Sequence, residues 1–208
     1  MDVLSLLRVM RKHGQIPEEA RRSVRKSATD KRLGFVMGWI KTFSGELRVA
    51  KMTRKYPELH RALCALAHIQ FPDFYWESVQ VNVGASGLHV DQYNCGPSIV
   101  LGMGPYSGGA LWVWPGTEHD VHTPTRIDGS LPHITMPHTG ERYSMVWFAG
   151  RVQPTPTPDD VAFLHELGQP PLKPEKHCHD VRSDLLDAAA EKLKKRGLSR
   201  AFIGDYLN

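Results

Sequence analysis

Two side chains that commonly bind metals stand two residues apart in the segment LHVDQYNCGPS, residues 88–98. In an extended strand alternate side chains point to the same side, so His89 and Asp91 would converge on one face. Leu88 and Val90 would then lie on the other face. Such a pair is either half of a metal site or an ordinary His–Asp hydrogen bond, and the later histidines decide between these alternatives.

A third metal ligand is expected from a later strand, because a two-histidine, one-carboxylate triad is the usual site of non-haem Fe(II) oxygenases. The segment DGSLPHITMPHTGERYSMVWF contains the turn PHTGE, which predicts an antiparallel hairpin between residues 131–136 and 142–148. His133 would lie within a strand of this hairpin, near Arg142 on the other strand. We take His133 as the third ligand and His138, at the turn, as the alternative. Two further candidates lie in the polar connection GTEHDVHTPT: His119 and His122.

Arg142 predicts an anion-binding group beside the metal. An arginine among apolar strands needs an anionic partner, because an unpaired buried charge is costly. Its planar guanidinium suits bidentate binding of a carboxylate, and Ser144, two residues on and facing the same way, can add a hydroxyl. A dicarboxylate held by Arg142 at one end could reach the metal with its other end. That geometry is the one a 2-oxo acid cosubstrate needs.

Three further polar side chains are candidates for the same interior. Gln80 and Asn82 alternate with valines in SVQVNV, which predicts that both face the metal ligands. Asn82 could hydrogen-bond the cosubstrate or a metal ligand, or the two residues could be a buried polar pair satisfied by the backbone. Tyr93 continues the face of the metal ligands and could border the cosubstrate. Asn94 is interpreted as part of the turn before Gly96-Pro97.

The strands that must hold these side chains are predicted in residues 71–152. Short β-branched or aromatic segments alternate there with Gly, Pro and Asn, as in a sandwich or barrel. Residues 1–70 are predicted to be helical and to pack on this core. Residues 153–208 comprise linkers and helices, the first beginning at Thr157. The predicted fold is α+β, a β core with helices on both sides in one structural domain. The prediction of N-terminal helices is supported by an amphipathic stripe of Leu59, Leu63, Leu66 and Ile69.

The composition limits the classes of function. The apolar content of 41% argues against wholesale disorder, and no apolar run approaches the length of a membrane span. Residues 1–70 carry 15 Lys and Arg against 6 Asp and Glu, whereas residues 71–150 carry 2 against 7. A basic helical surface suggests a polyanionic partner such as DNA or RNA, or else a solvated helix face. No pattern indicates the oligomeric state.

The cysteines and the first residues bear on the compartment. Cys64, Cys95 and Cys178 are widely spaced and odd in number, which predicts no disulfide framework and a reducing compartment. The opening segment MDVLSLLRVMRKHG has its charges after the apolar residues and no small-residue cleavage site, so we interpret it as a helix and not as a signal peptide. We therefore expect an intracellular protein, cytoplasmic or nuclear. The sequence KHCHD around Cys178 resembles part of a soft-metal site, but a surface loop is the preferred interpretation.

Taken together, three motifs resemble the Fe(II)/2-oxoglutarate-dependent dioxygenases. They are H-V-D at 89–91, P-H-x-T at 132–135 and G-E-R-Y-S at 140–144. The resemblance covers roughly residues 74–150. It implies a double-stranded β-helix core of the jelly-roll type and an Fe(II) site with a 2-oxoglutarate anchor. The residues to which it assigns these roles are His89, Asp91 and His133 for the metal, and Arg142 and Ser144 for the cosubstrate.

The pattern of residue types in residues 94–113 is similar to that of algal and protist members of this superfamily, which are grouped with the TET/JBP-type nucleobase dioxygenases. The gap between His133 and Arg142 is shorter than is usual in that group. The resemblance implies an enzyme that uses Fe(II), 2-oxoglutarate and O2, releases succinate and CO2, and hydroxylates or oxidises a C–H bond. The implied substrate is a nucleic-acid base such as a 5-methylpyrimidine. The alternatives are a protein side chain or small molecule, or a non-catalytic metal-binding barrel.

Overall fold

A computed structural model describes residues 2–18, 33–42, 44–151, 155–173 and 176–204. The helices are α1 (Val3–Lys12), α2 (Lys51–Lys55), α3 (Pro57–Gln70), α4 (Pro158–Glu166), α5 (Leu186–Lys195) and α6 (Arg200–Ile203), with a 3-10 turn at Ser183–Leu185. The strands are β1 (Leu33–Lys41), β2 (Leu47–Val49), β3 (Ser78–Val83), β4 (Asn94–Met103), β5 (Tyr106–Gly108), β6 (Leu111–Val113), β7 (Thr117–His119), β8 (Thr125–Ile127), β9 (His133–Thr135), β10 (His138–Gly140) and β11 (Tyr143–Gly150). None of these helices is both long enough and apolar enough to cross a lipid bilayer.

The described strands form three antiparallel sheets. The large sheet has the order β2-β1-β3-β11-β4-β8, the small sheet has the order β7-β6-β9, and β10 pairs with β5 in a short ribbon. A backbone bridge between His89 and His133 attaches the segment after β3 to β9 of the small sheet. Residues from both sheets line one cavity, so the large and the small sheet face each other across it.

Successive parts of the chain alternate between these two sheets. The strands β3, β4, β8 and β11 belong to the large sheet, while the segment at His89, β6 with β7, and β9 belong to the small sheet. This alternation gives the two-sheet arrangement of a jelly roll. The predicted fold, α+β with a jelly-roll core flanked by helices, is therefore confirmed. Within the described residues the sheets stay separate and do not join in one closed hydrogen-bonded barrel.

The two faces of β3 and β11 serve different purposes. Val79, Val81, Met145 and Trp147 are buried against α1 and α3 in the main apolar core. The alternate residues of the same strands, Gln80 among them, line the cavity between the sheets. Because successive strand residues point to opposite sides, one pair of strands holds both the core and the interior of the site. On the other side of the molecule, α5 covers the outer face of the small sheet.

Two helices predicted from sequence signals are present. The helix α3 corresponds to the amphipathic stripe: Leu59 and Leu63 are buried against the sheet, whereas Ile69 is 76% exposed, so the packed face ends before the last turn. The helix α4 begins after Thr157, whose hydroxyl accepts a hydrogen bond from the backbone N–H of Asp160 at 3.3 Å. This contact is the N-terminal cap that the sequence predicted.

The prediction that residues 1–70 are helical is wrong for residues 33–41 and 47–49. The strands β1 and β2 lie there. The first part of β1 pairs with β3, from Leu33 opposite Val83 to Gly38 opposite Ser78, and its last three residues pair with β2. A tertiary hydrogen-bonding partner outweighs local propensity in such a segment. Residues 19–32, which carry most of the predicted basic helix, lie outside the described residues. The division of the chain at residues 70 and 152 stays a prediction.

The predicted hairpin between residues 131–136 and 142–148 is also wrong. The strand β9 pairs with β6 in the small sheet, while β11 pairs with β3 and β4 in the large sheet. The chain crosses between the sheets through β10, which pairs with β5 instead. His133 therefore does not lie opposite Arg142 in a strand pair. A turn sequence shows where the chain bends, but the sheet that each flanking strand joins depends on the tertiary structure.

Candidate active site

Three predicted metal ligands converge at one end of the cavity. His89 and His133 are joined by two backbone hydrogen bonds, from His89 N to His133 O at 3.0 Å and from His133 N to His89 O at 2.9 Å. The Nε2 atom of His89 lies 3.8 Å from Oδ1 of Asp91, and the Nε2 atom of His133 lies 3.9 Å from Oδ2 of Asp91. One donor atom from each residue lies within 4.8 Å of the others, a spacing that fits a shared metal ion.

Backbone carbonyls orient both imidazoles. The Nδ1 atom of His89 lies 2.7 Å from the carbonyl oxygen of Gly87, and the Nδ1 atom of His133 lies 2.8 Å from that of Leu131. Since a carbonyl oxygen only accepts hydrogen bonds, each Nδ1 carries the hydrogen and each Nε2 keeps its lone pair. Both lone pairs are directed toward the side of Asp91. Such contacts fix the tautomer and the ring orientation that a metal ligand requires.

The position of Asp91 is set by two groups that the sequence did not identify as functional. The side-chain amide of Asn94 donates to Oδ2 of Asp91 at 2.9 Å, and the backbone N–H of Asp91 donates to the carbonyl of Gly129 at 2.8 Å. Asn94 begins β4 and also contacts Ser98 Oγ at 3.3 Å, so it does more than form a turn. An amide three residues after a candidate ligand is the signal that could have indicated this role.

Gly129 leaves just enough space for the carboxylate of Asp91. A Cβ atom at residue 129 would lie 2.7 Å from Oδ2 of Asp91, which is inside van der Waals contact. We expect Gly129→Ala to displace the carboxylate and to weaken Co(II) binding roughly tenfold or more, as loss of supporting contacts does at metal sites. The matched control is Gly150→Ala, where a Cβ would meet its neighbour, Glu77 Oε2, at an ordinary 3.6 Å. Equal Co(II) affinity in both variants, measured by calorimetry, would show that this close approach is unimportant.

Arg142 is buried in the cavity with a positive charge that no described carboxylate neutralises. It is only 2% exposed. Its Nη1 donates to the carbonyl of Gly84 at 2.9 Å and its Nη2 to that of Gly109 at 3.4 Å, while Nε has no hydrogen-bond partner among the described residues. The guanidinium carbon lies 5.3 Å from the ring centre of Tyr106. Burial lowers the pKa of Arg142, and the neighbouring Tyr106 opposes that shift. Because a buried positive charge without a carboxylate beside it is costly, the site favours the binding of an anion.

A chain of amides and a hydroxyl runs along the cavity wall next to Arg142. The amide of Gln80 donates to Oδ1 of Asn82 at 3.0 Å, and the amide of Asn82 lies 3.4 Å from Oγ of Ser144. These three side chains and Arg142 line the same cavity as the metal ligands, as the strand alternation predicted. Two hydroxyl residues of the lining were also not singled out from the sequence. They are Ser86 and Thr135, whose hydroxyl oxygens lie 3.0 Å apart.

Some predicted site residues lie elsewhere. Tyr93 is 77% exposed and does not line the cavity, because the chain leaves the extended conformation after Asp91 and turns before β4. That prediction is wrong. The alternative third ligands also lie apart from the metal group: His122 pairs with Asp120 at 2.6 Å, and His138 is in the β10 ribbon. His119 belongs to β7 at the far edge of the small sheet.

The sequence predicted no disulfide framework, whereas the structure contains a disulfide. Cys95 at the start of β4 and Cys178 in the C-terminal segment form a disulfide across 83 residues of sequence, and Cys64 is buried and free. An odd count did not exclude a disulfide, because the third cysteine belongs to the apolar core. Next to Cys178, Nδ1 of His179 lies 2.9 Å from Oδ2 of Asp128, so that segment is held against the end of β8.

No protein-family model and no curated protein sequence matches the chain. Among solved structures, it is similar to a 2OG-Fe(II) oxygenase family oxidoreductase from Burkholderia pseudomallei, with 17% identity over 73% of this chain and 84% of that one and a TM-score of 0.46. It is also similar to NgTET1 in complex with 5mC DNA, with 14% identity over 78% and 76% of the two chains and a TM-score of 0.48. A Pseudomonas putida prolyl-4-hydroxylase has 19% identity over 70% and 83% and a TM-score of 0.38.

Proposed function

We propose that this protein is a non-haem Fe(II)- and 2-oxoglutarate-dependent dioxygenase. The observation that carries the proposal is the presence, in one cavity, of a two-histidine, one-carboxylate group and a buried guanidinium with no carboxylate partner among the described residues. The first feature suits Fe(II) and leaves coordination positions for other ligands. The second suits a carboxylate. A 2-oxo dicarboxylic acid is the kind of ligand that satisfies both at once.

The metal ligands in this proposal are His89, Asp91 and His133. Backbone carbonyls already fix the orientation of both imidazoles through Nδ1, so little reorganisation is needed to bind an ion through Nε2. When bound, Fe(II) supplies the redox chemistry by which 2-oxoglutarate, O2 and a substrate C–H bond become succinate, CO2 and a hydroxylated substrate. Asn94 and the Gly129 carbonyl keep Asp91 in position for that ion.

Arg142 binds the far carboxylate of 2-oxoglutarate in this proposal, and Ser144 adds a hydroxyl to the same group. Nε of Arg142 has no hydrogen-bond partner among the described residues, and in this proposal it donates to the carboxylate. The amides of Asn82 and Gln80 line the same cavity as this anchor and the metal ligands, and in this proposal they orient the cosubstrate. Apolar residues complete the lining and exclude water from the reacting groups: Val100, Leu111, Ile127, Val146 and Phe148.

For the substrate we propose a nucleic-acid base such as a 5-methylpyrimidine, which an enzyme must take out of the base stack. Positions 1–70 contain 15 basic and 6 acidic residues, and this net positive charge supports a nucleic-acid partner. The acidic residues 71–150, with 2 basic against 7 acidic side chains, favour the alternative, a protein side chain or small molecule.

One assay tests the reaction and sorts the substrates. The purified protein should convert 2-oxoglutarate to succinate only with Fe(II) and O2, and a true substrate should accelerate that conversion. We would add single-stranded DNA, duplex DNA, RNA, peptides and metabolites in turn, and identify oxidised products by mass spectrometry. Acceleration by a nucleic acid that weakens steeply with salt supports the nucleobase proposal. No succinate under any condition would contradict the proposed reaction.

A further inference from the structure

A C-terminal segment lies across the end of the large sheet at which the metal ligands converge. We call residues 176–182 the strap. Nζ of Lys176 donates to Oε1 of Glu77 at 2.8 Å and to the carbonyl of Gly150 at 2.6 Å. Both side chains of this ion pair are more than nine-tenths buried. The strap therefore begins firmly anchored beside the start of β3 and the end of β11.

The rest of the strap continues along the same end, past β4 to β8. Cys178 is bonded to Cys95 of β4. His179 contacts Asp128 after β8 at 2.9 Å, and its carbonyl accepts a hydrogen bond from Arg151. The backbone N–H of Arg182 then donates to the carbonyl of Ser130 at 2.9 Å.

The contacts of the strap flank the two groups that position Asp91. Cys95 directly follows Asn94, whose amide donates to the Asp91 carboxylate. Asp128 and Ser130 stand on either side of Gly129, whose carbonyl accepts the backbone N–H of Asp91. A displacement of the strap would therefore change the position of Asp91 through two sets of contacts, one in β4 and one in the loop after β8. Neither set involves His89 or His133.

The disulfide is the strongest tie between the strap and this end of the sheet. The His179–Asp128 contact is exposed, with 54% and 33% of the two side chains accessible, and exposed pairs of this kind contribute little. Cys95 is only 5% exposed, whereas Cys178 is an exposed residue. A small thiol can therefore approach from the side of Cys178, while the buried ion pair of Lys176 keeps the first residue of the strap in place.

We propose that the Cys95–Cys178 disulfide is a thiol-sensitive tie that positions Asp91, and that its reduction weakens metal binding at the candidate site. The inference rests on the proposed metal site. A dithiol supplies the two electrons: one thiolate attacks the sulfur of Cys178, and Cys95 leaves as a thiolate that takes up a proton. The second thiol of the reductant then closes its own disulfide and releases Cys178 as a thiol. Residues 177–182 are thereby freed from β4.

The test compares Co(II) binding to the oxidised protein and to protein reduced with dithiothreitol, with the reductant removed anaerobically before titration. We expect the affinity to fall about tenfold on reduction, the size of effect that lost support of a ligand produces. Hydrogen–deuterium exchange in residues 177–182 should rise in the same samples. Cys178→Ser should bind Co(II) as weakly as the reduced protein, with or without dithiol. Cys64→Ala, which removes the buried free thiol, should behave as the unmodified protein.

The outcomes separate this inference from the proposed function. Equal Co(II) affinity in the oxidised and reduced proteins would overturn the role of the disulfide and leave the metal site intact. Unchanged exchange in residues 177–182 would likewise overturn it, because the strap would then be held by its other contacts. If neither the oxidised nor the reduced protein bound Co(II), both the proposed metal site and this inference would be contradicted.

Discussion

Replacing His89, Asp91 or His133 by Ala should abolish Fe(II)-dependent succinate formation and lower the affinity for Co(II) roughly hundredfold or more. The expected loss exceeds the 10–100-fold that removal of a supporting contact costs, because a donor atom itself is lost. The three donor atoms lie within 4.8 Å of one another, so no remaining pair can enclose an ion as fully. Calorimetric titration with Co(II) and a succinate assay on the same samples measure both effects.

His119→Ala is the matched control for this series. It also removes an imidazole from the β core, but from β7 and outside the metal group. It should retain the Co(II) affinity of the unmodified protein. If the three triad variants bound Co(II) as tightly as His119→Ala, the ion would have to be held elsewhere, and the proposed reaction would lose its centre.

Arg142→Met should raise the concentration of 2-oxoglutarate needed for half-maximal turnover by roughly hundredfold or more, while Co(II) affinity stays nearly unchanged. Loss of one partner of a buried charge pair costs about 3–5 kcal/mol, and about 1.4 kcal/mol corresponds to a factor of ten. Methionine has a similar length but offers no charge and no donors. Arg142→Lys keeps the charge but loses the planar fork, so an intermediate effect is expected.

Arg126→Ala controls for the loss of a positive charge from the same sheet, because Arg126 is an exposed residue of β8. It should leave 2-oxoglutarate binding unchanged. Direct titration of 2-oxoglutarate into the Co(II)-loaded proteins distinguishes the variants without turnover. An Arg142→Met protein that bound 2-oxoglutarate normally would show that the cavity recognises the dicarboxylate through other groups, or that its anion is a different molecule.

The sequence alone was sufficient for the features that depend on local periodicity and residue chemistry. The spacing of His89 and Asp91, and of Arg142 and Ser144, predicted pairs that share a face, and all four side chains line one cavity. The alternation in SVQVNV likewise predicted the polar inner face of β3. These predictions hold because a strand repeats every two residues whichever sheet it joins.

Only the tertiary structure decided which strands meet. His133 reaches the metal ligands through a backbone bridge to His89 in the small sheet, and not through a hairpin with Arg142. The role of Asn94, the close approach of Gly129 and the disulfide between Cys95 and Cys178 depend on residues that are neighbours in space across a jelly roll. Local sequence does not predict such contacts, because the pairing of distant strands is determined by burial and hydrogen bonding over the whole domain.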